Sequence, residues 1–150
     1  MTGNYNYVLM EEPMILGIPV IDKQHANLTR IINNLYMACN NNPEITNHRF
    51  IHAVSKTTDF IRHHFSTEEK LMTISDYPGY LEHRKEHGEF IWELLRHSRQ
   101  FQDGQDFIPQ NFMHFLSDWI NAHIEGSDSE FADFFMNMQK HDKLRIVLAG

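Results

Sequence analysis

The chain has 150 residues, a length that suits one domain with a single hydrophobic core. Its net charge of −7 argues against nucleic acid and anionic membrane surfaces as partners, because both bind basic patches. The single cysteine, Cys39, excludes an intrachain disulfide and a cysteine-based zinc or iron–sulfur site. The chain has no membrane-spanning apolar stretch and no signal-peptide pattern at its start. We therefore expect a soluble, cytoplasmic protein.

Apolar residues repeat at spacings of three and four in the first half of the chain, which is the period of an amphipathic helix. The first helix is predicted at about 19–40. The segment "NNNPEIT" forms a turn, after which Thr46 or Asn47 caps the second helix, which ends near Ile74.

The second half of the chain has the same period. Asp76 as a cap and Pro78 in the first turn predict the start of the third helix, which runs to about Phe101. The fourth helix carries bulky apolar residues up to Ile124, and "EGSD" interrupts it before a further helical segment and a tail. Four helices with short connections predict an all-α, up-down-up-down four-helix bundle with an N-terminal arm and a short C-terminal helix or tail.

Histidine is the outlier of the composition, with 11 in 150 residues. A helix advances about 100° per residue, so residues four apart share a face. His83 and His87 are four apart on the third helix, and His64 and Glu68 are four apart on the second. Pairs at this spacing are typical of ligands that bind one metal ion.

Other histidines are expected to lie outside the site. His48 and His52 are about 160° and about 120° around the helix from His64, and His114 is about 180° from His123. His63 and Glu69, each next to an inward residue, are expected at the rim or the surface. We also expect two further histidines to lie away from the site. His97 is roughly 15 Å along the helix from His87, and His141 is in the tail.

One set of candidate ligands remains, to which all four helices contribute: His25, His64, Glu68, His83, His87, His123 and Asp128. Burying so many polar groups without a metal would be costly. The set is too large for one ion and indicates two, with each carboxylate bridging. Imidazole and carboxylate ligands fit iron, zinc, copper or manganese. With two six-coordinate irons and a bridging oxo or hydroxo group, the set leaves one coordination position open. Its low number of anionic ligands favours reversible O2 binding over O2 activation.

Asp128 needs a local change of helix phase to reach this set. It is five residues after His123, or about 140° around an ideal helix, so the two do not share a face. Gly126 and Ser127 lie between them, where a π-bulge or a local break would turn Asp128 inward.

At these residues the chain resembles the hemerythrin family, and the bacterial single-domain hemerythrins in particular. The matching motifs are "GIPVIDKQH", ending at His25, "HFSTEEKLM", from His64, "YPGYLEHRKEH", ending at His87, and "WINAHIEGSD", ending at Asp128. The resemblance implies one hemerythrin-like domain over residues 1–150, with a core at about 16–136 and a C-terminal extension at about 138–150.

The resemblance also implies the cofactor, two iron ions joined by a bridging oxo or hydroxo group. One iron would be bound by His83, His87 and His123. The other, which keeps the open position, would be bound by His25 and His64.

By the same resemblance, Glu68 and Asp128 would bridge the two irons, and O2 would bind as a hydroperoxide on the iron with the open position. A dry pocket would be lined by Leu28, Phe65, Trp119, Ile120 and Ile124. The positions of these five residues are equally consistent with plain core packing. Excluding water from it would slow oxidation of the iron pair.

The implied function is reversible O2 binding, for carriage, storage or delivery, without enzyme activity. The implied partners are O2, other small ligands such as nitric oxide or azide, and an O2-consuming recipient protein. The alternatives are a sensor of O2, redox state or nitric oxide, and a di-iron oxidase or peroxidase.

Overall fold

A computed structural model of the chain describes residues 10–41, 47–104 and 109–149, without the side chains of 38–41, 47 and 143–149. Its elements are, in chain order, α1 (Pro19–Asn41), α2 (Asn47–Ile74), α3 (Tyr80–Gln102), α4 (Pro109–His123), a π turn (Ile124–Asp128) and α5 (Ser129–Ala149). The predicted bounds of the first two helices are confirmed to within a residue or so. Of the two predicted caps of α2, Thr46 lies outside the described residues and Asn47 is the first residue of the helix.

The helices form a closed four-helix bundle. α1 packs against α2, α2 against α3, α3 against α4, and α4 back against α1. The predicted all-α bundle is confirmed, and the described part of the chain contains no strand. None of its helices is long and apolar enough to cross a membrane.

The connection between α2 and α3 differs from the prediction. Asp76 does not cap α3. Its positive φ of 51° places it in the left-handed region, two residues after Ile74, the last residue of α2. The amide of Tyr77 donates to the carbonyl of Met72 at 3.0 Å, and that of Asp76 donates to Thr73 at 3.3 Å. These are the two hydrogen bonds of a Schellman motif, so Asp76 ends α2. α3 begins later than predicted, at Tyr80.

The N-terminal arm is fastened to α1. The side chain of Asn33 accepts a hydrogen bond from the amide of Met10 at 2.8 Å and donates one to the carbonyl of Met10 at 3.0 Å. The carboxylate of Asp22 accepts from the amides of Leu16 at 2.8 Å and Gly17 at 3.0 Å. These bonds fix the direction in which the chain enters α1.

The π turn predicted at Gly126 and Ser127 is confirmed, and it joins α4 and α5 into one continuous helical segment. The C-terminal region is more regular than predicted. α5 is helical to Ala149, so the predicted extension continues this helix at least to that residue.

The core consists of two apolar clusters separated by a polar layer. The larger cluster includes Leu28 and Phe65, and the smaller one includes Ile21, Met72 and Phe131. On α1, the buried His25 lies one turn after Ile21 of the smaller cluster and one turn before Leu28 of the larger cluster. On α2, the buried His64 and Glu68 lie between Ile61 of the larger cluster and Met72 of the smaller one. The polar layer is therefore shielded from solvent along the bundle axis on both sides.

Candidate metal centre

All seven predicted ligands lie in this polar layer, and none of them is more than 6% exposed. They are His25, His64, Glu68, His83, His87, His123 and Asp128. α1, α2, α3, the end of α4 and the π turn each contribute at least one of them. The seven residues therefore lie together in the structure, on the helix faces that their spacing predicts.

The ligand atoms form two overlapping groups. In the first, which we call the three-histidine group, one atom from each residue lies within 4.8 Å of all the others, and its members are Glu68, His83, His87, His123 and Asp128. The second, the two-histidine group, meets the same criterion with His25, His64, Glu68 and Asp128. Both carboxylates belong to both groups.

Each shared carboxylate presents one oxygen to each group. Glu68 Oε1 contacts His64 Nε2 in the two-histidine group, and Glu68 Oε2 lies 3.3 Å from His83 Nε2 in the other. Asp128 Oδ2 lies 3.1 Å from His25 Nε2, and Asp128 Oδ1 lies 3.0 Å from His83 Nε2. This is the arrangement that a carboxylate bridge between two cations requires.

Several buried atoms of this cluster make no hydrogen bond of acceptable geometry with any described residue, although most of them approach one another at these distances. They are both ring nitrogens of His25, Nε2 of His83, and both carboxylate oxygens of Glu68 and of Asp128. Buried polar atoms without partners are costly, and native proteins rarely keep them. The residues present therefore fit a pair of bound cations, which would supply the missing partners.

Burial holds two of the histidines in the neutral form that metal binding needs. It lowers the pKa of His64 to about 4, against an opposing effect of Asp128. Burial, together with the neighbouring His123 and His83, lowers the pKa of His87 to about 2.

His83 and the two carboxylates shift one another's pKa values. Burial disfavours the charged form of His83, but contacts with Asp128 and Glu68 outweigh burial and raise its pKa to about 9. Burial and the charge of Asp128 raise the pKa of Glu68 to about 8. Burial acts in the same direction on Asp128, but contacts with Glu68 and His123 hold its pKa well below the usual value.

The outward ring nitrogens of three candidate ligands have partners of their own. Gln24 Oε1 lies 2.7 Å from Nδ1 of His64, and Gln24 Nε2 donates to Thr67 Oγ1 at 3.1 Å. Glu69 Oε2 lies 3.2 Å from Nδ1 of His87. Such partners fix the orientation and tautomer of a ligand histidine.

The third partner is Glu86, whose Oε2 lies 3.2 Å from Nδ1 of His123 and accepts a hydrogen bond from Ser127 at 2.6 Å. Sequence reasoning did not find Gln24, Glu69 or Glu86. Each reaches a histidine on a different helix, so spacing within one helix gives no signal for it. The only hint was position, because each of the three is adjacent to a candidate ligand in the chain.

Aromatic rings cover the three-histidine group from the side of the larger apolar cluster. Phe65 stacks on His87 with ring centroids 3.7 Å apart, and Trp119 stacks on His123 at 4.4 Å. The other predicted pocket residues belong to the same cluster and are at most 3% exposed: Leu28, Ile120 and Ile124.

The histidines expected outside the site are outside it. His48, His52, His63, His114 and His141 are exposed. His97 is half-buried and contacts the rings of Phe112 and Phe115. Glu69 lies at the rim, as predicted, with 25% of its side chain exposed, although it also contacts His87.

The fold and the seven candidate ligands define an all-α protein with a candidate cation centre in its core. Comparison with known proteins agrees with this description. The family model of the hemerythrin HHE cation binding domain matches residues 16–135. A bacteriohemerythrin of Stenotrophomonas maltophilia (strain R551-3) is 29% identical over 126 residues, 84% of this chain and 80% of that protein. A bacteriohemerythrin of Pseudomonas aeruginosa (strain LESB58) is 28% identical over 127 residues, 85% of this chain and 80% of that protein.

A crystal structure of wild-type hemerythrin has the same fold, with a TM-score of 0.75 at 20% identity, over 85% of this chain and 98% of that one. Because the family model covers most of its length, the chain belongs to the hemerythrin family.

Proposed function

We propose that the protein binds O2 reversibly at a non-haem di-iron centre and serves in O2 carriage, storage or delivery. The observation that carries this proposal is the pair of ligand groups that share Glu68 and Asp128, each with one oxygen directed to each group. Two cations with shared carboxylates fit this arrangement, and family membership favours iron over the other metals that imidazole and carboxylate bind.

In this proposal, the three-histidine group holds one iron through His83, His87 and His123. The two-histidine group would hold the other through His25 and His64, and Glu68 and Asp128 would be shared between the two irons. When bound, the pair supplies two electrons and an open coordination position to a small ligand.

The protein's own residues orient the ligands and exclude water. Gln24 holds the ring of His64 by its outward nitrogen, and Glu69 and Glu86 do the same for His87 and His123. We propose that a wall of apolar side chains on the side of the larger cluster excludes water from the centre and slows oxidation of the iron pair. Its members are Leu28, Phe65, Trp119, Ile120 and Ile124.

The direct test is an O2 titration of the iron-loaded protein after anaerobic reduction, followed in the visible spectrum. We expect a charge-transfer band that grows with O2 and disappears when O2 is removed under vacuum. A metal content of one zinc ion per chain would remove the di-iron proposal altogether.

The same titration separates a binding protein from an enzyme. We propose a binding protein, for which O2 uptake stops when the centres are filled and is recovered on release. Continued consumption of O2 with turnover of a reductant would contradict this and assign an oxidase or peroxidase instead. A nitric oxide or azide titration of the same sample measures whether other small ligands compete for the position.

A further inference from the structure

The outward nitrogens of two histidines in the three-histidine group face carboxylates. Glu69 Oε2 lies 3.2 Å from His87 Nδ1, and Glu86 Oε2 lies 3.2 Å from His123 Nδ1. Both contacts cross between helices, from α2 to α3 and from α3 to α4. They therefore also tie together the helices that carry the group.

Each of these carboxylates is itself held in place. Ser127 donates to Glu86 Oε2 at 2.6 Å, the same oxygen that faces His123. The other oxygen of Glu69 lies 3.7 Å from the guanidinium of Arg84. Because both carboxylates are only partly exposed, at 25% for Glu69 and 36% for Glu86, water screens their charges incompletely.

The two-histidine group has no such charges in the described residues. The outward nitrogen of His64 meets the neutral amide of Gln24 at 2.7 Å. Nδ1 of His25 is buried and makes no hydrogen bond with a described residue. Both groups contain Glu68 and Asp128, so they differ in two other respects. The three-histidine group has one more imidazole, and two of its histidines have a carboxylate on the outward nitrogen.

We propose that Glu69 and Glu86 make the three-histidine group the tighter of the two cation positions and the first to fill. The inference rests on the proposed two-cation centre. A carboxylate on the outward nitrogen makes an imidazole a stronger donor, and its charge attracts the cation at short range. Removing one such partner costs about 10–100-fold in metal affinity in proteins of known metal chemistry.

The test is a titration of the metal-free full-length chain with Zn2+, which has no redox chemistry, by calorimetry and by imidazole 15N NMR. We expect two binding steps. In the first, the signals of His87 and His123 change, and those of His25 and His64 stay in place. In the second, His25 and His64 follow.

The variants Glu69→Gln and Glu86→Gln keep the size of the side chain and remove its charge. Each is expected to weaken the first step by about 10–100-fold and to leave the second almost unchanged. The matched control is Glu89→Gln, which removes an equal charge from an exposed carboxylate on α3 that is paired with Lys85 at 3.9 Å. It should leave both steps unchanged. Gln24→Glu should tighten the second step.

Three results would overturn this inference: first filling of the two-histidine group, a first step that is unaffected in both glutamine variants, or the same weakening in Glu89→Gln. A failure of the proposed centre is distinguishable, because the wild-type chain would then bind fewer than two Zn2+ ions. Circular dichroism of each variant checks that the helices are intact.

Discussion

Among single residues, burial separates the histidines that line the centre from those that do not. His64 and His52 lie on the same helix, but His64 is 1% exposed whereas His52 points to solvent. A buried imidazole without a partner is costly, and an exposed one makes its hydrogen bonds to water. Substitutions at these two positions therefore test the site, because both lie on α2 and only one of them faces the centre.

We expect His64→Ala to lose the metal ion of the two-histidine group, because only His25 and the shared carboxylates would remain there. Metal analysis of the purified protein should give about half the wild-type content. His52→Ala is the matched control and should keep the full content. Loss of metal in His52→Ala would show that the assignment of inward helix faces is wrong.

Phe65 illustrates the contribution of a single apolar side chain. It is 3% exposed and lies flat against His87, at 3.7 Å between ring centroids. Phe65→Ala should lower the free energy of unfolding by about 3–5 kcal/mol, because it removes buried apolar surface and leaves a cavity. Urea denaturation measures this.

Trp92→Ala is the control for this substitution, since Trp92 is a still larger aromatic residue but is 63% exposed. It should cost at most about 1 kcal/mol, chiefly through its contact with Arg96. Equal losses in the two variants would contradict the burial argument.

Among helices, the period of 3.6 residues explains which features the sequence predicts. His83 and His87, or His64 and Glu68, lie four apart within one helix, so their common face follows from spacing alone. Gln24 was not predicted, because its contact with His64 depends on how α1 packs against α2. The spacing of residues within one helix does not reveal which residues of two helices meet.

Turns were predicted less well than helix faces. The composition of "SDYPGY" marks a turn, but Asp76 suits both the start of one helix and the end of another. The structure has it in the left-handed region at the end of α2, where an aspartate is tolerated better than most side chains. The choice is set by hydrogen bonds to α2, which composition does not reveal.

The π turn sets the direction of Asp128, so we expect the number of residues between His123 and Asp128 to matter more than the identity of Gly126. Insertion of one alanine after Gly126 would rotate the following residues by about 100°. Because Asp128 belongs to both ligand groups, the variant should bind neither metal ion stably. Metal analysis and calorimetry check this.

Gly126→Ala is the control for the insertion. Beyond its own stretch of helix, a Cβ at Gly126 would meet no atom of the described residues within 4 Å, so the substitution needs no rearrangement. It should keep the metal content and add about 0.5–1 kcal/mol of stability, because alanine is the better helix former. Loss of metal in this control would assign a role to the glycine itself.

For the whole molecule, the polar layer between two apolar clusters makes metal binding and folding interdependent. All four helices of the bundle meet in this layer, and its unpartnered atoms destabilise the chain when no cation is bound. A ligand that binds only the folded state stabilises it by mass action, by about 2.7 kcal/mol when its free concentration is 100 times its Kd.

Removal of metal by a chelator should therefore lower the Tm of the wild-type protein, as measured by calorimetry. Asp128→Ala is the control, because it lacks a residue of both groups. Its Tm should not respond to the chelator. A response of equal size in both proteins would indicate that the chelator acts elsewhere.

The order of the ligands along the chain has a consequence for biosynthesis. His25, His64, Glu68, His83 and His87 all precede the last connection of the bundle, whereas His123 and Asp128 follow it. Asp128 belongs to both groups, so a ribosome must add residue 128 before either position is complete. A nascent chain that stops earlier exposes histidines without a finished centre. Under the proposed function, iron insertion is thus a late event that marks chains whose synthesis has passed the π turn.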